Sequence, residues 1–291
     1  MKPSPFSYHD PSTCDEAVDL LGSLDNARPL SGGQSLFPLM HFRYVMPDHV
    51  VDLNGVKELN YIRAQSGFLH FGAITRQSQI EFSEDVGRVA PIVVEALKYV
   101  GHRQTRNRGT IGGSLSHFDP TAELANVSML HDAELDVRSK SGQRKIAMQD
   151  FGKGFMTTDI QDGEILADIA FKVWGDGHGY AFEEVSKRRG DFAITAVGAM
   201  AELGPDGAIQ RAAIAVSGVA PVPFRLAAAE QALAGQRPSH ELIRMAAIEA
   251  SKAEAMSDAH VDASYRQHLA RILTYRALER ALKRAAEKQR G

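Results

Sequence analysis

Two short segments of this 291-residue chain carry the residue types best suited to hold an anion: Ser31-Gly32-Gly33-Gln34-Ser35 and Thr110-Ile111-Gly112-Gly113-Ser114. Glycine lets backbone N–H groups approach a phosphate closely and admits the positive φ that a Cβ resists. The flanking hydroxyls add further hydrogen-bonding groups. Either segment alone reads more readily as a tight turn. Together they suggest a pair of backbone cradles closing on one elongated, phosphate-bearing ligand.

The surroundings of the second segment favour the ligand reading. Arg103, Arg106 and Arg108 precede it, and Ser116, His117 and Asp119 follow. Residues 103–109 read as a polar loop between two helices, longer than a compact domain usually needs. Its hydroxyls and N–H groups suit phosphate oxygens, and the arginines would add charge. Other chemistries lack their patterns. No Gly-x-Gly-x-x-Gly joins a strand to a helix, and no lysine follows a glycine loop as in a P-loop. Gly33-Gln34-Ser35-Leu36-Phe37 lacks the second glycine of a nucleophile elbow. His102, His117 and His131 show no zinc-like spacing. The residues therefore name no catalytic acid, base or nucleophile, and no metal ligand.

The elements needed to position these segments follow from periodicity and punctuation. Ser12 or Thr13, followed by Glu16, caps a helix over 12–23. Strands are expected at Ala27–Leu30, at Val50–Leu53 before Asn54-Gly55, and at Phe68–Gly72. Leu36–Met40 reads as a packed turn or short helix, and a helical stretch begins at Ile74–Gln77. Val89–Val100 reads as one helix ended by Gly101, and Asp119-Pro120 opens another that runs to Leu130. A strand at Ala133–Val137 meets a Ser141-Gly142 turn. Trp174–Gly179 reads as a linker. Ala193–Leu203 and Ala208–Val219 read as two strands around Gly204-Pro205-Asp206-Gly207. Helices dominate from Phe224 onward. The fold is thus α+β on both sides of a boundary near residue 175.

Composition narrows the class further. At 44% hydrophobic, 24% charged and a formal charge of −3, the chain is ordinary globular material. Its basic residues form no stripe, so a nucleic-acid partner is not expected. No apolar run approaches the roughly 20 residues that span a bilayer. The N-terminal stretch lacks the apolar core of a signal peptide. Cys14 is the single cysteine; it reads as buried and inert, in a reducing, cytoplasmic setting. One thiol cannot hold an iron–sulfur cluster that needs about four.

The stretch from Gly101 to Leu124, with Thr110-Ile111-Gly112-Gly113-Ser114 at its centre, closely resembles the FAD-binding medium subunits of molybdenum hydroxylases. That family includes carbon monoxide dehydrogenase and the xanthine dehydrogenase group. Ser31–Met40 resembles its first flavin loop and Val51-Asp52-Leu53-Asn54 the strand after it. Phe71–Thr75 matches a further family segment, and Ser186–Ile194 the start of its C-terminal domain. The resemblance covers nearly the whole chain. It implies a two-part FAD-binding domain of the vanillyl-alcohol-oxidase/PCMH type over 1–175, then a smaller C-terminal domain of antiparallel strands and helices over 176–291.

The resemblance also implies roles. Leu30, Ser31, Gly32, Gly33, Gln34, Ser35, Leu36 and Phe37 would wrap the FAD pyrophosphate and ribityl. Thr110, Ile111, Gly112, Gly113 and Ser114 would supply the second set of contacts. Glu123 matches an acidic position that hydrogen-bonds the cofactor, although it reads equally as a first-turn helix acid. Leu166 would pack near the adenine or flavin edge, and Lys187, with Asp191, lies in the stretch that approaches the isoalloxazine. Three positions depart from the family: Ser114 stands where Asn or Asp is common, Arg103 where proline is frequent, and Glu183-Glu184 where a basic residue is often found. The implied function is an electron-transfer subunit of an oxidoreductase. It would take electrons from the [2Fe–2S] clusters of a small partner, beside a large molybdenum-cofactor subunit, and pass them to an external acceptor. A heterotrimer, or a dimer of heterotrimers, is expected. A free-standing FAD oxidase or reductase of the same fold, and a flavin-free assembly module, are the alternatives. A leucine stripe at Leu269, Ile272, Leu273, Leu278 and Leu282 reads as intradomain core more than as an interface.

Overall fold

Local sequence sets the first helix. The Thr13 hydroxyl accepts the Glu16 N–H at 3.2 Å while the Glu16 carboxylate accepts the Thr13 N–H at 3.3 Å, and this capping box starts α1 (Cys14–Ser23). In the computed structural model, which describes residues 1–290, α1 lies on a parallel sheet of order β1-β3-β2. Its strands are β1 (Ser7–His9), β2 (Ala27–Leu30) and β3 (His49–Asp52), with α2 (Leu36–His41) between the last two. Cys14 is a free, buried thiol in the small core beneath α1.

A second, antiparallel sheet begins with β4 (Ile62–Gln65) and β5 (Phe68–Gly72). The helices α3 (Gln77–Glu81), α4 (Glu84–Val89), α5 (Pro91–Leu97), α6 (Arg103–Arg108), α7 (Ile111–His117) and α8 (Glu123–Leu130) follow. The chain then returns through β6 (Glu134–Ser139), β7 (Gly142–Ala147), the one-turn α9 (Met148–Phe151), the hairpin β8 (Gly152–Gly154) and β9 (Thr157–Thr158), and β10 (Ile165–Lys172). The sheet order β4-β5-β10-β6-β7 puts β10 at the centre. Phe171 of β10 meets Phe71 of β5 edge-on at 5.1 Å, and burying each ring contributes about 2–3 kcal/mol.

Beyond the linker comes a third sheet, β11 (Gly179–Ser186), β12 (Ala193–Leu203), β13 (Ile209–Ser217) and β14 (Phe224–Arg225), antiparallel throughout. The helices α10 (Ala227–Leu233), α11 (His240–Ala250) and α12 (Ala263–Arg290) complete the described chain. Strand alternation divides this sheet cleanly. Phe182, Ala196, Met200 and Ala215 share a core with Leu97, Leu124 and Val127 of the preceding helices. Val197, Ala199 and Ala201 face Leu273, Ala277 and Ala281 of α12. Leu269, Leu273, Leu278 and Leu282 are buried and Ile272 half-buried, so the stripe is core.

An ion-pair network ties the two parts together. Glu95 of α5 accepts the Phe182 N–H of β11 at 3.0 Å, and Arg280 and Arg284 of α12 at 3.0 and 2.8 Å. Arg280 also meets Glu183. The linker is anchored as well: His178 donates to the Gly175 carbonyl at 2.6 Å, and Arg211 lies 3.9 Å above the Trp174 ring. Among the described residues no helix is long and apolar enough to cross a membrane.

Several elements differ from expectation. Val89–Val100 is not one helix: Val89 ends α4, proline at 91 cannot continue it, and α5 covers only Pro91–Leu97. Residues 103–108, expected as a loop, form α6. Asp119-Pro120 precedes α8 without opening it; the Asp119 carboxylate accepts the Thr121 N–H at 2.8 Å and holds a turn. The strands β10 and β11 were not expected.

Candidate functional site

The chain leaves β2 through Leu30, whose buried side chain anchors a small apolar cluster with Met40 and Val50. Leu36 and Phe37 pack against this cluster. Gly33 takes φ +71°, and a Cβ there would lie 2.7 Å from the Phe37 ring. The Gly33 and Ser35 carbonyls accept the Phe37 and Leu39 N–H groups, both at 3.2 Å. The N–H groups of Gly32, Gly33, Gln34, Ser35 and Leu36 have no partner among the described residues, although only Gln34 is exposed. Gln34 folds its amide back to the Gly32 carbonyl at 3.2 Å. A partly sheltered row of unpaired donors is what a phosphate requires of a backbone.

The second segment is built differently. Thr110 is the N-cap of α7, its hydroxyl accepting the Gly113 N–H at 3.0 Å. Ile111 donates to the Thr75 carbonyl at 3.1 Å, Gly112 to Ala73 at 2.9 Å, and Ser114 to Thr110 at 3.1 Å. These N–H groups are therefore engaged within the chain, contrary to the expectation of a second backbone cradle. Gly112 serves packing, since a Cβ would lie 2.5 Å from Ala73. What the segment offers a ligand is hydroxyls: that of Ser114, which has no partner among the described residues, and that of Thr110.

The two segments touch. The Ser31 and Thr110 hydroxyls are 2.8 Å apart, and a Cβ on Gly32 would strike the Arg108 carbonyl and Gly109. Two residues that sequence reasoning did not assign to the site lock this junction. The Asn54 amide donates to the Ser31 carbonyl at 2.9 Å. The Arg76 guanidinium joins the Arg108 carbonyl to the Asn54 side-chain oxygen. Asn54 has a detectable signal, as the residue after a strand whose N–H is capped by Asp52 at 2.9 Å; Arg76 has none.

Not every expected residue reaches this junction. Arg106 pairs with Glu81 at 2.7 Å and donates to the Val100 carbonyl at 2.9 Å, so its charge builds the protein. Leu166 of β10 packs in the main core with 4% of its surface exposed. Lys187 is exposed just beyond β11. Glu123, the first residue of α8, is buried, and its carboxylate accepts from its own backbone N–H. Burial, and then the charge of Glu184, push its carboxyl up to about 8. Both Glu184 carboxylate oxygens are buried, and burial lifts that group to about 7, while the Ser186 hydroxyl beside it acts to lower it.

Comparison with known proteins identifies the family. Residues 4–172 match the family described as FAD binding domain in molybdopterin dehydrogenase. Residues 180–281 match the CO dehydrogenase flavoprotein C-terminal domain. The chain is 33% identical to the glyceraldehyde dehydrogenase medium chain of Sulfolobus acidocaldarius, over 96% of this chain and 99% of that one. It is 32% identical to the carbon monoxide dehydrogenase medium chain of Hydrogenophaga pseudoflava, over 98% and 100% respectively. Among solved structures, carbon monoxide dehydrogenase from Hydrogenophaga pseudoflava superposes with a TM-score of 0.94 at 33% identity, covering 98% of this chain and 99% of that one. Quinoline 2-oxidoreductase from Pseudomonas putida 86 gives a TM-score of 0.93 at 32% identity, over 98% and 99%. The chain belongs to the FAD-binding medium subunits of carbon monoxide dehydrogenase-type molybdenum hydroxylases, and is thus an oxidoreductase component with FAD as its cofactor.

Proposed function

We propose that this chain is the electron-transfer subunit of a heteromeric molybdenum hydroxylase, relaying electrons from the [2Fe–2S] clusters of a small partner to an external acceptor. The observation that carries the reading is the row of unpaired N–H groups from Gly32 to Leu36, set against the joined Ser31 and Thr110 hydroxyls. These residues fit the FAD pyrophosphate: the backbone row supplies donors to its oxygens, and Ser31, Thr110 and Ser114 supply hydroxyls beside them. Leu30, Leu36 and Phe37 hold the row in shape, and Asn54 and Arg76 hold the two segments together. When bound, FAD supplies the redox chemistry, and the protein supplies position and electrostatics.

The division of labour is supported by cysteine count. Cys14 alone cannot hold an iron–sulfur cluster, which supports a partner that carries the clusters. Relatives named for carbon monoxide, glyceraldehyde and quinoline share this medium-subunit fold. Substrate choice is accordingly assigned to a large molybdenum-cofactor subunit, in a heterotrimer or a dimer of heterotrimers, in a reducing cytoplasmic setting. The test is to purify the full chain, add FAD at micromolar concentration and record its absorption spectrum after desalting. Retained flavin bands support the reading; a colourless protein overturns it.

A further inference from the structure

A peptide unit is planar and trans, so its C=O and the N–H of the next residue point in opposite directions. A carbonyl held on one side therefore fixes where the following N–H is aimed. Four of the five unpaired N–H groups between Gly32 and Leu36 have such a hold behind them. The Phe37 N–H holds the Gly33 carbonyl at 3.2 Å and so aims the Gln34 N–H; the Leu39 N–H holds the Ser35 carbonyl at 3.2 Å and aims that of Leu36. Both of these holds come from the backbone of α2. Ahead of α2 they come from side-chain amides. Asn54 Nδ2 donates to the Ser31 carbonyl at 2.9 Å, behind the Gly32 N–H. Gln34 Nε2 donates to the Gly32 carbonyl at 3.2 Å, behind the Gly33 N–H.

Asn54 is fully committed to this arrangement. Its amide nitrogen also donates to Asp52 Oδ1, and its side-chain oxygen accepts from Arg76. Arginine can only donate, so the oxygen must face Arg76 and the nitrogen must face Ser31; the reverse would set donor against donor and acceptor against acceptor. Asp52 is fixed in turn, since Oδ1 accepts the Asn54 N–H at 2.9 Å and Oδ2 the Tyr8 hydroxyl at 2.6 Å. The Asn54 amide thus has its partners within the chain, and it acts on a ligand only through the peptide it holds. A hydrogen bond on a carbonyl also polarises its peptide and strengthens the N–H at the far end.

We propose that Asn54 and Gln34 are positioning residues, each holding one carbonyl so that the next N–H is aimed at an oxygen of the pyrophosphate: Gly32 for Asn54, Gly33 for Gln34. This rests on the FAD reading above. The full chain, isotope-labelled at its glycine nitrogens, tests it through the amide proton resonances of Gly32 and Gly33 before and after saturation with FAD. An N–H that takes up an anionic acceptor moves downfield, and in the parent both should do so. In Asn54→Leu, close in volume but without a donor, the Gly32 movement should largely disappear while that of Gly33 stays. Gln34→Ala should do the reverse. The dissociation constant for FAD should rise about tenfold in the first variant and about threefold in the second, whose side chain is exposed. A merely structural role would loosen the whole segment and diminish both resonance movements together. Equal losses at the two glycines, no loss in either variant, or FAD uptake by the parent that moves neither resonance overturns this inference and leaves the FAD reading standing. Should Asn54→Leu fail to fold, the exposed Gln34→Ala decides alone through Gly33. A parent chain that takes up no FAD overturns the FAD reading and this inference with it.

Discussion

Between Gly32 and Leu36 five successive N–H groups have no partner among the described residues, whereas from Ile111 to Ser114 all four are donated within the protein. The residue types are nearly the same: a hydroxyl, two glycines and another polar residue. In the first segment Gly33 supplies a positive φ that turns the backbone donors outward. In the second, Gly112 lets α7 lie against Ala73, with φ in the ordinary range. One pair of glycines shapes a surface for a ligand; the other lets two pieces of protein meet. A glycine pattern thus reports a need for space or for φ, and only the hydrogen-bond accounting separates the two.

That contrast can be broken at its strongest point first. Arg106→Ala would leave Glu81, whose side chain is 11% exposed, without its cation, and should cost about 3 kcal/mol. Urea denaturation of the full chain measures this, and an unchanged midpoint would return Arg106 to the list of ligand contacts. Next, Gly112→Ala should cost about 2 kcal/mol through overpacking against Ala73, with or without FAD present. If it weakens FAD binding while leaving the melting temperature alone, the second segment is a cradle after all. The converse applies to Gly33→Ala, where the left-handed backbone costs about 1 kcal/mol of stability. Its larger effect should be on flavin, with a dissociation constant raised about tenfold by equilibrium dialysis. The smallest effect sharpens the junction itself. A double-mutant cycle of Ser31→Ala and Thr110→Ala should give a coupling energy of about 1 kcal/mol, and additivity would deny the hydroxyl contact.

Much of this was legible because it is local. The Thr13–Glu16 capping box, the strand before Asn54-Gly55 and the hairpin turn at Gly204-Pro205-Asp206-Gly207 each announce themselves within a few residues. The glycine segments were legible too, and so was the burial of the leucine stripe in α12. What stayed hidden depends on partners distant in sequence. Residues 103–108 bury no side chain fully and show no apolar period; they become helical where Arg106 reaches Glu81 and Val100. The N–H groups of Ile111 and Gly112 look free until β5 brings Ala73 and Thr75 alongside. Arg76 joins Asn54 to Arg108 across spans no periodicity reports.

The network centred on Glu95 has a consequence for lifetimes. Arg280 and Arg284 of α12 and the backbone of β11 converge on one carboxylate of α5. A hinge at the crease between the two parts would have to break all three contacts at once and strand a carboxylate with little water to receive it. Opening at the crease is therefore expected to be rare, with amide exchange of β11 approaching the rate set by global unfolding.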